Sequence, residues 1–189
     1  MAGVAGPMLQ RDKAQGSRFL LGLLAGGLAA SAGLAVLVYA AGTPISGLAP
    51  PRYRAILAAL VIAGFGIADL AGRTPHVWRQ VPQRFVRTLP PGRLGLVWGF
   101  DLSLLFTTQK TTSVAWAALT GLLLLAPSAA LPALLAMTLA GTAAVAVRSG
   151  TWARRAGISA LGDRRRPWFL PMRRGAGIAL LLLAALTAL

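Results

Sequence analysis

Sixteen of the nineteen basic residues in this chain fall in three segments: Arg11, Lys13 and Arg18; then Arg73, Arg79, Arg84, Arg87 and Arg93; then eight arginines between Arg148 and Arg174. Long apolar runs separate them. A membrane crossed five times would put all three segments on one face and leave only Arg52 and Arg54 on the other. Loops that stay in the cytoplasm keep Lys and Arg, whereas short translocated loops lose them. Charge placement therefore predicts an all-α, polytopic membrane protein with about five transmembrane helices. Its N-terminus is expected in the cytoplasm and its C-terminus at the outer face.

The apolar content agrees. Hydrophobic residues make up 56% of the chain and the mean hydropathy is +0.68, too apolar for a soluble domain of 189 residues. A formal charge of +15 in a soluble protein would suggest nucleic acid. Here the arginines flank apolar runs, without interleaved stacking aromatics or a recognisable nucleic-acid module. Anionic lipid headgroups and topology account for them, and no nucleic-acid partner is expected. Arginine far outnumbers lysine, and Ala, Gly and Pro are abundant, a usage that suggests a GC-rich bacterial genome and so a bacterial plasma membrane. Cysteine is absent, which excludes disulfides, thiol relays and thiolate metal sites.

The expected organisation is a basic cytoplasmic N-terminus over residues 1–18 and a single transmembrane domain over 19–189. The spans are placed at about 19–41, 55–72, 94–126, 129–147 and 172–189, with cytoplasmic linkers at 73–93 and 148–171. The first span carries Gly22 and Gly26 as a GxxxG pair, continued by small residues from Ala29 to Gly33, a face that lets another helix backbone approach closely. Its basic flank resembles a signal peptide, but the run is longer than a signal core and further spans follow, so it is expected to remain. In the 73–93 linker, prolines at 75, 82, 90 and 91 leave room for a helix only between Pro82 and Leu89. Trp78, Phe85, Trp152, Trp168 and Phe169 among the linker arginines suit segments lying on headgroups, or a docking surface for an acidic partner.

The third stretch, Leu94 to Ala126, is different. As one helix of 33 residues it would be ~50 Å long, well beyond the hydrocarbon core. Two full spans do not fit, and two crossings would put the arginine-rich linkers on opposite faces. One net crossing is expected, by a broken, tilted or re-entrant segment with its break in the polar run Thr107 to Ser113. Irregular backbone at that depth must be buried in protein or line a wet cavity.

Chemistry-bearing residues are few. The four acids are all aspartates, and His76 is the one histidine. Asp12 and Asp163 read as charge balance in basic segments. Neither a metal ligand set nor a hydrolytic triad can be assembled from these, so no catalysis, cofactor or metal is expected. The remaining ionisable groups, Asp69, Asp101 and Lys110, lie within spans, where each costs ~3 kcal/mol or more at the bilayer centre. Asp69 sits four residues before Arg73, as an interfacial i, i+4 pair would. Asp101 and Lys110 flank or enter the polar run, with Thr107, Thr108, Gln109, Thr111, Thr112 and Ser113 around them and Ser103 nearby. This set could line a site for a small anion or polar solute, or could satisfy broken backbone with no substrate at all.

The first span, "FLLGLLAGGLAASAGLAVLVYAAG", and the third, "LGLVWGFDLSLLFTTQKTTSVAWAAL", resemble the opening helices of the two repeats in the cytochrome c biogenesis/DsbD-type transmembrane thiol carriers. In that family each such helix has a Gly-rich entry and a Pro-Cys break, and the two cysteines form the redox centre. The corresponding positions here, Ala30 to Gly33 and Thr107 to Ser113, have no cysteine and no adjacent proline. The resemblance implies six helices, where the apolar runs give five. It also implies a relative unable to carry out the family's electron transfer, and no catalytic residue carries over.

Two function classes follow from the sequence. One is a transporter-like protein with a polar intramembrane site, oligomeric because short helices enclose little volume. The other is a non-transporting membrane subunit or assembly factor of cytochrome/redox-biogenesis type that presents its basic linkers to a partner.

Overall fold

A computed structural model of the chain describes residues 2–75, 85–104, 112–154 and 166–188. Among the described residues the structure is helical, without strands: α1 (Ala2–Arg11), α2 (Lys13–Leu48), α3 (Pro51–Leu70), α4 (Phe85–Thr88), α5 (Pro91–Ser103), α6 (Val114–Leu124), a 3-10 turn (Pro127–Ala129), α7 (Ala130–Arg154) and α8 (Arg166–Ala188). The protein is an all-α, multi-pass membrane protein. Four helical segments are long and apolar enough to cross a bilayer: Lys13–Leu48, Pro51–Leu70, Pro127–Thr151 and Leu170–Ala188. The third apolar stretch is divided into α5 and α6, with Leu104 and Thr112–Ser113 in turns beside the residues between them. Between Pro82 and Leu89, where proline spacing left room for a helix, the described residues form the short α4.

The helix boundaries have local causes. Asp12 opens α2 by accepting hydrogen bonds from the amides of Ala14 and Gln15, at 2.8 and 3.3 Å. It is therefore a helix N-cap, a more specific role than charge balance. α2 runs past the expected end near Ala41, through Pro44, to Leu48. The Thr43 hydroxyl donates to the Tyr39 carbonyl at 2.7 Å, and Pro44 lies in the last turns of the helix, where one missing N–H breaks little of its ladder. α3 starts behind Pro50 with Pro51 in its first turn, where the missing N–H leaves no intrahelical bond unmade. It ends at Gly72, whose φ of 74° is the left-handed conformation that glycine adopts without penalty. The Arg73 amide bonds the Ala68 carbonyl and the Gly72 amide bonds the Asp69 carbonyl, completing a Schellman motif.

Two compact units are present. The first comprises Met1–Leu34, Arg79–Thr108 and Leu131–Ser159. Within it, α2 and α5 run side by side in the same direction. A Cβ on Gly26 would lie 2.0 Å from the Leu96 carbonyl oxygen, and one on Gly99 would lie 2.0 Å from the Leu23 carbonyl oxygen. Only glycine fits at that separation. Lipid supplies no hydrophobic drive between membrane helices, so van der Waals contact along such a seam holds the pair. Phe19 and Trp98 meet edge to face across it, with ring centroids 5.9 Å apart, an arrangement worth ~0.5–1.5 kcal/mol beyond the area buried. Ala5 of α1, Leu23 and Leu94 complete this core, with Val145 of α7 packed against it.

The second unit comprises Ala35–Trp78, Gln109–Ala130 and Ala160–Leu189. Here α8 lies antiparallel to α3. Gly66 and Gly177 meet at the crossing, where a Cβ on either would lie 3.0 or 2.9 Å from the other's carbonyl oxygen. α6 also runs antiparallel to α3, from Asp69 at one end to Arg54 at the other. Ala59, Ile62, Ala117, Leu180 and Ala184 form the shared core.

Candidate functional site

Asp69 sits in the last turn of α3, fully buried. Its Oδ2 accepts the Ser113 amide at 2.7 Å, and its Oδ1 accepts both the Ser113 and Thr74 hydroxyls, each at 2.7 Å. Ser113 is fully buried and Thr74 nearly so. Ser113 precedes the first turn of α6, and its hydroxyl makes no capping bond to α6 itself. The carboxylate of a neighbouring helix thus occupies the N-terminal end of α6, where amides converge and the helix dipole favours negative charge.

Two further bonds fasten this region. Trp116 Nε1 donates to the Pro75 carbonyl at 3.2 Å, tying the irregular segment after α3 to α6. Arg173 Nη1, from α8, donates to the Gly72 carbonyl at 3.0 Å. The end of α3, the start of α6 and the entry to α8 therefore share one polar cluster.

Of the candidate residues read from the sequence, the structure brings Asp69 and Ser113 together and adds Thr74, which the sequence reading missed. Thr74 lies beyond the helix-ending Gly72, outside any helical periodicity that could have aligned it with Asp69. Arg73 is exposed, and the expected i, i+4 partner of Asp69 is replaced by Ser113 and Thr74. The reason is the Schellman turn. It ends the helix at Ala71, so Arg73 no longer lies one helical turn above Asp69. Thr112 is half-buried beside Ser113. Thr107, Thr108, Gln109, Lys110 and Thr111 lie outside the described residues.

Asp101 belongs to the first unit, buried on α5. Two residues on, the Ser103 hydroxyl accepts a hydrogen bond from Thr138 of α7 at 3.4 Å, and Thr138 is in turn bonded to Ser31 of α2. Ser31 and Thr138 are buried and join three helices through hydroxyls. Ser31 falls inside the small-residue stripe Ala29 to Gly33, where the sequence pattern distinguishes it by size and not by its hydroxyl.

No protein-family model matches the chain, and comparisons with curated proteins and with solved structures give no match.

Proposed function

We propose that this protein is a small transporter-like component of the bacterial plasma membrane, with its N-terminus cytoplasmic and its C-terminus at the outer face. Its solute site would be built around the polar run that ends at Ser113 and around Asp69. The observation that carries this reading is the division of the third apolar stretch into α5 and α6, with the start of α6 held by a buried carboxylate. Discontinuous helices whose broken ends present polar groups within the membrane are how many transporters build substrate and ion sites. Lys110, Thr107, Thr108, Gln109 and Thr111 supply one cation and several hydroxyl or amide groups, a donor-rich set suited to a small anion or polar solute. In this reading the protein is a relative of the thiol carriers without their cysteines and without thiol redox activity. Anionic lipid headgroups would hold the basic linkers, and self-association would enlarge the enclosed volume.

One observation favours the alternative, a non-transporting subunit or assembly factor. The Asp69 carboxylate already receives three hydrogen bonds from its own chain, as a purely structural clamp would.

Aqueous labelling separates the two. The chain has no native cysteine, so single cysteines at Thr107 and Lys110 report on those positions alone, with Arg52 and Arg154 as controls on opposite faces. Reaction of either polar-run position with a membrane-impermeant reagent is the expected result. Complete protection, with both controls reactive, means a packed polar core and a scaffold.

A further inference from the structure

We propose that the outer side of the α2–α5 seam binds one anionic phospholipid, its phosphate held between Arg18 and Arg93 and an acyl chain laid against Leu96 and Phe100. The inference goes beyond the solute-site reading and does not depend on it, because every residue in the site belongs to the first unit.

The register of the seam places these residues. A Cβ on Gly22 would lie 2.9 Å from the Leu96 amide nitrogen, and one on Gly26 would lie 2.9 Å from that of Phe100. Gly22 and Gly26 are thus the α2 residues that meet Leu96 and Phe100. Arg18 lies one turn before Gly22, and its carbonyl oxygen would lie 3.7 Å from a Cβ on Gly92, the residue before Arg93. The two arginines therefore share one end of the helix pair, and both are exposed. Along α5, Leu96 and Phe100 follow Arg93 at i+3 and i+7, the spacing of one helix face, and are 49% and 44% exposed. Across the seam α2 presents Ala25 and Ala29, also exposed, so the two large side chains stand beside a low surface. α7 takes the opposite side of the pair, where Thr138 meets Gly27.

Charge names the occupant. An exposed apolar helix face is ordinary in a membrane, and the chain of any lipid covers it. Two guanidinium groups at the polar end of that face are poorly matched by a zwitterionic headgroup, whose own cation opposes them. A phosphate without that cation can accept paired N–H bonds from each guanidinium. Arg18 and Arg93 reach the headgroup level by laying their stems along the helices. Lys13, exposed in the first turn of α2, adds positive charge at the same end. Asp12, the acid nearest Arg18 in sequence, accepts from the Ala14 and Gln15 amides, and Asp101, the acid nearest Arg93, is buried two turns further along α5. Basic sites between membrane helices take anionic headgroups in this way.

The test is native mass spectrometry of the full-length protein in detergent micelles, titrated with phosphatidylglycerol or with phosphatidylcholine. Each arginine near the surface favours an anionic headgroup by about fivefold, so the first phosphatidylglycerol should bind at least about fivefold more tightly than phosphatidylcholine. Arg18→Gln combined with Arg93→Gln should weaken phosphatidylglycerol by about fivefold or more and leave phosphatidylcholine unchanged. Arg52→Gln combined with Arg174→Gln removes the same charge elsewhere and should bind both lipids as the parent does. Ala25→Phe keeps every charge, fills the low surface beside the seam and should weaken both lipids. That variant carries the test if the Arg18 and Arg93 pair does not accumulate. Equal affinity for the two lipids in the parent, equal weakening in the two arginine pairs, or an Ala25→Phe variant that binds like the parent overturns the site.

Discussion

In the first unit, α2 and α5 approach until Gly26 and Gly99 lie against carbonyl oxygens of the facing helix, with the buried rings of Phe19 and Trp98 packed edge to face between them. In the second unit, α3 and α6 are joined through side chains, with Asp69 gripping Ser113 at one end and Arg54 Nη1 donating to the Leu124 carbonyl, 3.1 Å away, at the other. The two solutions suit different purposes. Backbone contact forms a seam with one geometry and no adjustable part. A hydrogen-bonded carboxylate is a directional contact that substitution can remove one bond at a time.

The largest effect should come from placing an atom in the glycine seam. In Gly26→Ala the new Cβ would sit 2.0 Å from the Leu96 oxygen, a backbone atom that cannot move without separating the helices. Overpacking against backbone should cost about 3 kcal/mol or more. Unfolding in denaturing detergent should register it, together with reduced accumulation in membranes. Gly33→Ala is the internal control, because nothing lies within 4 Å of its Cβ position, and it should stay within about 0.5 kcal/mol of the parent. Equal behaviour of the two variants would mean that the seam is not a rigid contact.

The clamp should break by chemistry more than by volume. Asp69→Ala strands a buried amide and two buried hydroxyls, a loss of about 2–3 kcal/mol by the same unfolding assay. Asp69→Asn keeps an acceptor for the Ser113 amide and offers donors to hydroxyls that can turn, so its cost should be about 1 kcal/mol or less. The ratio between the variants is what sharpens the comparison. If Asn costs as much as Ala, the cluster requires the carboxylate itself and not merely a group of the same shape that can accept.

Much of this architecture was legible in the sequence because charge bias and apolar length act over whole segments. The arginine clusters implied a multi-pass helical protein, and the 33-residue stretch from Leu94 to Ala126 was too long for one membrane-spanning helix and too short for two full spans. The structure divides it. The glycine pair Gly22 and Gly26 announced a close contact, but nothing in one sequence named α5 as its partner. The polar clusters were half legible. Asp69, Ser103 and Ser113 stood out as polar residues in apolar surroundings, whereas Thr74 sits beyond a helix stop and Ser31 hides among small residues. Their pairings depend on tertiary contact between segments far apart in the chain: Asp69 with Ser113, Ser31 with Thr138. Helical periodicity relates residues only within one helix, and so it suggested Arg73 for Asp69.

The hydroxyl chain of the first unit gives the finest test, because it places hydrogen bonding beside the glycine seam in the same unit. Thr138→Val keeps the branched shape that packs against Gly27 and removes the hydroxyl that links Ser31 to Ser103. Interhelical hydrogen bonds between such side chains average ~0.6 kcal/mol in membranes, since the separated helices find other partners. A loss near that size is expected, well below Gly26→Ala. A double-mutant cycle with Ser31→Ala should show that the two losses are not additive, because either substitution alone removes the shared bond. A Thr138→Val loss approaching that of Gly26→Ala would show that hydroxyls, and not backbone contact, hold the first unit together. The contrast between the two units would then disappear.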